Sequence, residues 1–66
     1  MQVEFTDTEV ELLQRLLDRE VRDLNVEIAD TDNSRFRDQL RSHRESVKSL
    51  LGRFGGPLPD SEVDLN

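Results

Sequence analysis

The sequence predicts an all-α fold: an antiparallel two-helix hairpin that dimerises into a four-helix bundle. Three observations predict it. Two stretches carry apolar residues at every third or fourth position, one cluster of turn formers separates them, and the chain has 66 residues with no cysteine. The spacing is that of a helix with one apolar face. A chain this short has a high surface-to-volume ratio and gains little from its own core. The absence of cysteine and the single histidine exclude disulfide and Cys/His zinc staples. Oligomerisation is the remaining way to enlarge the core.

Residues 1–6 form an N-terminal arm and helix cap. Thr6-Asp7-Thr8-Glu9 has the spacing of a capping box, in which the Thr6 hydroxyl accepts from the Glu9 amide and the Glu9 carboxylate accepts from the Thr6 amide. Phe5 and Val10 occupy the two positions of a hydrophobic staple around that cap. Val10, Leu13, Leu17, Val21, Leu24 and Ile28 then make the apolar stripe of a helix over 7–30. Asp30-Thr31-Asp32-Asn33-Ser34 consists of turn and N-cap formers, with the turn itself at 31–33. A second stripe, Phe36, Leu40, His43, Val47, Leu51 and Phe54, predicts a helix over 34–54. Gly55-Gly56-Pro57 ends it, because glycine suits the left-handed cap and proline cannot continue a helix. The hairpin therefore spans 7–55, and residues 56–66 read as a flexible acidic tail.

So short a turn makes the helices antiparallel, and facing residues should have numbers with a constant total. Val10 with Phe54, Leu13 with Leu51, Leu17 with Val47, Val21 with His43, Leu24 with Leu40 and Ile28 with Phe36 satisfy this about Asp32. These twelve residues are the predicted hairpin core. The same register joins five pairs of opposite charge: Glu11–Arg53, Arg19–Glu45, Glu20–Arg44, Asp23–Arg41 and Glu27–Arg37. Phe5, Leu12, Leu16 and Leu50 fall off the core stripes toward the open end of the hairpin and form the candidate dimer interface. Burying each large aliphatic side chain contributes about 1.5–3 kcal/mol.

No constellation of residues predicts catalysis, a cofactor or a metal. His43 sits on the core stripe without the Glu-x-x-His motif of bundle metal sites, since Leu40 holds the glutamate position. Its neighbour Ser42 points about 100° away along the helix, so the two do not form a catalytic dyad. The net charge of −6 opposes attraction to nucleic acid or an anionic membrane, and no run approaches the ~18 apolar residues that span a bilayer. The N-terminus lacks the basic start and apolar core of a secretory signal, so a cytoplasmic location is expected.

The function these features predict is non-enzymatic: a protein–protein interaction or assembly module that homodimerises and could also meet an unidentified protein partner. One alternative is a small nucleic-acid-binding regulator using Arg37, Arg41, Arg44 and Lys48 on the basic second helix, although no Tyr or Trp is present for base stacking. Another is an acidic inhibitor that binds a basic protein in place of nucleic acid.

Two helices, an Asp-centred turn, the ending Arg53-Phe54-Gly55 and an acidic tail give a layout that resembles the repressor-of-primer hairpins. The resemblance implies a dimeric four-helix bundle. That family binds paired RNA loops through its first helices, whereas the first helix here carries Glu11, Asp18, Glu20, Asp23 and Glu27, so no binding residue carries over.

Overall fold

The computed structural model describes residues 2–58. Two helices pack against each other as a hairpin: α1, Asp7–Asp30, and α2, Ser34–Arg53. From residue 59 onward the expected acidic tail lies outside the described residues.

Each helix begins where a side chain satisfies its free amides. Thr6 caps α1 with both bonds of the capping box: the Glu9 amide donates to Thr6 Oγ1 at 3.1 Å, and the Thr6 amide donates to Glu9 Oε1 at 2.8 Å. Asn33 caps α2, its Oδ1 accepting from the Phe36 amide at 3.1 Å. The negative end of α1 has no basic residue in its last turn. Arg37 supplies the cation from α2, donating from Nη2 to the Thr31 carbonyl at 2.7 Å. The far end of α2 closes in a Schellman motif, with the Gly56 amide bonded to the Leu51 carbonyl and the Gly55 amide to the Gly52 carbonyl. Gly55 and Gly56 have φ of 106° and 83°, the left-handed region that the motif requires and that residues with a Cβ resist.

The core is small. Leu24, Leu40, Val47 and Leu51 are buried, and Leu17, Val21 and Ile28 pack half-buried against them. Two of the predicted core residues are corrected. Phe36 is 46% exposed, and His43 is exposed too. Arg37 and Arg44 are half-buried in the positions next to them. On α1 the buried residue of the second turn is Gln14, with Leu13 only half-buried. The seam runs Val10, Gln14, Leu17, Val21, Leu24, Ile28 on one helix and Arg37, Leu40, Arg44, Val47, Leu51, Phe54 on the other, with Leu13 and Asp18 half-buried at its edges. Both series alternate steps of three and four, the spacing of a seam between two helices.

Side chains lean toward the N-terminus of their own helix, so Gln14 reaches the Phe54 and Gly56 carbonyls and Arg37 reaches the Thr31 carbonyl, each a few residues beyond the residue that faces it. Leu24, Leu40 and Val47 form one cluster, with Leu17, Val21 and Ile28 packed against it. None of the five expected ion pairs is formed among the described residues. Arg44 instead donates to Asn25 Oδ1 at 2.8 Å, Arg41 lies 3.8 Å from Asp38, and Glu20 lies 3.5 Å from His43.

Gln14 joins the two helices at the open end. Buried at the seam, its Nε2 donates to the Phe54 carbonyl at 2.9 Å and to the Gly56 carbonyl at 3.0 Å. A Cβ on Gly55 would stand 3.1 Å from that nitrogen, whereas one on Gly52 would meet nothing within 4 Å. Opposite effects follow from the two glycines. Gly55→Ala should destabilise the fold by about 1–3 kcal/mol, from the positive φ and the crowded amide. Gly52→Ala should stabilise it by up to about 1 kcal/mol, because Gly52 lies within α2. Urea titration of both variants beside the parent chain checks the signs, and equal shifts would dissociate the Gln14 anchor from the cap.

Candidate interaction surface

The hairpin has two broad faces, and polar contacts between the helices identify which flanks share each one. His43 Nε2 lies 3.5 Å from Glu20 Oε2 across one face. Arg44 Nη1 bonds Asn25 Oδ1 across the other. Residues one step from the seam on the His43 side are Glu9, Leu13, Leu16, Glu20, Asp23 and Glu27 on α1, and Phe36, Gln39, His43, Ser46, Leu50 and Arg53 on α2. Each series again alternates steps of three and four, so each forms a second stripe running beside the first.

This second pair of stripes holds Leu16, Phe36 and Leu50 of the apolar surface that the hairpin leaves open, while Leu12 and Val26 lie on the outer side of α1 and Val3 and Phe5 in the arm. Leu16 is 52% exposed, Leu50 41% and Phe36 46%, with Leu12 at the outer edge of α1 53% exposed. Phe36 and His43 therefore belong to this outer face rather than to the core. The arm folds against the open end of α2: the Phe5 and Phe54 rings meet edge to face with centroids 5.5 Å apart. Val3, Phe5, Leu50, Arg53 and Phe54 line an open groove there. Phe5 is still 45% exposed and Val3 56%, so the arm meets Phe54 without closing over the leucines.

No family model, curated protein or solved structure matches this chain.

The cationic residues of α2 are placed differently from a row of free phosphate contacts. Arg37 is held by the Thr31 carbonyl and Arg44 by Asn25, while Arg41 lies near Asp38. The Arg44 Nε is shut off from solvent without a hydrogen bond, its nearest carboxylate oxygen being Glu45 Oε2 at 3.5 Å. Lys48 is exposed on α2. Among the described residues no group of three or more His, Cys, Asp or Glu side chains is placed to hold a metal ion. No helix among them is long and apolar enough to cross a membrane.

Sequence periodicity alone missed Gln14, Arg37 and Arg44 because it counted only apolar side chains. A strict three-four alternation was the available signal. Val10, Gln14, Leu17, Val21, Leu24 and Ile28 satisfy it, whereas the series through Leu13 contains two steps of four in succession.

Proposed function

We propose that the protein is a small non-enzymatic assembly module that homodimerises through the Leu16–Leu50 face into a four-helix bundle. The observation that carries this reading is the ratio of covered to uncovered apolar residues. Among the described residues four hydrophobic side chains are buried, while Leu16, Phe36 and Leu50 on this face are each more than two-fifths exposed. One seam between two helices stabilises a chain of this length only marginally against the entropy of ordering it. A second layer of helices on the exposed face converts the hairpin into the usual two-layer arrangement around one core.

A dimer coupled to folding has a melting temperature that depends on protein concentration, whereas a folded monomer does not. Melts followed by circular dichroism should therefore shift upward by several degrees between about 5 and 500 μM. Superimposable curves across that range would remove the proposed assembly.

A further inference from the structure

Resting on the reading that the hairpin dimerises through this face, we propose that the second copy is related by a two-fold axis parallel to the helices. In this arrangement α1 of each copy lies against α2 of the other, and both open ends sit at the same end of the bundle. With the helices of the two copies kept aligned, as in a four-helix bundle, the other two-fold stacking has its axis across the helices. It lays α1 on α1 and α2 on α2, with the open ends at opposite ends.

Charge separates these arrangements. The α1 stripe on the face carries Glu9, Glu20, Asp23 and Glu27 and no basic residue, whereas the α2 stripe carries Arg53 and His43 and no acidic residue. With the axis across the helices, two acidic stripes would line one buried seam, and like charges in a partly desolvated seam repel. With the parallel axis, every acidic stripe meets a stripe that is basic or neutral.

The apolar residues make the same choice independently. Leu13 and Leu16 lie in the half of α1 nearer the open end, and Leu50 lies in the corresponding half of α2. A parallel axis preserves height along the bundle, so Leu16 of one copy stands near the level of Leu50 of the other. A crossed axis through the middle of the face, where the two copies overlap fully, would instead bring Leu13 and Leu16 against Glu20 and Asp23 of the second copy. Leucine would then be matched with carboxylate.

The turn reports the geometry, because the chain contains no other thiol and Asp32 is exposed. A nitroxide on Asp32→Cys places one label on each copy. Helices this long extend about 30–35 Å and neighbouring axes lie about 8–10 Å apart. The parallel axis predicts a label separation below about 25 Å by double electron–electron resonance, and the crossed axis one of about 35 Å or more. The labelled protein is weighed by sedimentation in the same buffer. A dimer with the short distance is the expected result. A dimer with the long distance would overturn this arrangement and leave the assembly reading standing, while a monomer would overturn both.

Discussion

Leu24→Ala should leave most of the chain unfolded at 25 °C. Leu24 is 5% exposed and belongs to the hydrophobic cluster of the described residues, with Leu40 and Val47. Removing a buried leucine side chain costs about 2–5 kcal/mol, from lost transfer free energy and the cavity left behind. A single core in a domain of this size supplies about 3–5 kcal/mol in all. The loss is therefore comparable to the whole stability. Far-UV circular dichroism should fall toward a coil signal and the urea transition should lose its native baseline. A cooperative transition with an unchanged midpoint would mean that the seam around Leu24 does not hold the helices together.

The second large effect falls on association. Replacing Leu16 and Leu50 together by glutamate should abolish the dimer. Each leucine contributes about 1.5–3 kcal/mol when its surface is buried, and a two-fold interface contains each of them twice. With Leu16 52% and Leu50 41% exposed in the hairpin, about half of that remains to be lost, about 3–6 kcal/mol against the roughly 8 kcal/mol of micromolar affinity, and the four glutamates add the cost of burying charge. Glutamate is a good helix former, so the substitution opposes the interface without opposing the helices. Val26→Glu is the control: Val26 is 60% exposed and lies on α1 away from both stripes. Sedimentation at about 50 μM, above a micromolar dissociation constant, should give a dimer for Val26→Glu and a monomer for the double variant, folded or not. A double variant that keeps the mass of the parent would show that this face is not the interface.

The helices and the turn were legible in the sequence because local chemistry decides them. Thr6 and Glu9 form their capping box within four residues, Asn33 caps α2 through its side-chain oxygen, which accepts from the Phe36 amide, and the two glycines end α2 where a left-handed backbone is required. The pairing between the helices was less legible because it depends on geometry that periodicity does not encode. Long polar side chains decide several of the cross-helix contacts: Gln14 reaches the Phe54 and Gly56 carbonyls, and Arg44 reaches the Asn25 side chain. The apolar stripes also blurred the seam. Phe36 and Leu50 are apolar yet lie on the outer face, while Gln14, Arg37 and Arg44 are polar yet occupy the seam.

Those polar seam residues share a physical explanation. Gln14 donates to two cap carbonyls and Arg37 to a carbonyl at the turn, while Arg44 donates to a side-chain amide oxygen. Their aliphatic stems cover apolar surface while their ends satisfy polar partners. The two backbone anchors sit at opposite ends of the hairpin and tie its helices together there. The candidate interface was readable as surplus hydrophobicity in Leu12, Leu16 and Leu50. Its extension to Phe36 and His43 became apparent only once the seam had excluded them.

Sedimentation equilibrium of the unmodified chain decides whether a second copy covers the Leu16–Leu50 face. At about 50 μM, well above a micromolar dissociation constant, the expected mass is twice that of the 7.7 kDa chain. A folded species of 7.7 kDa at that concentration would contradict it.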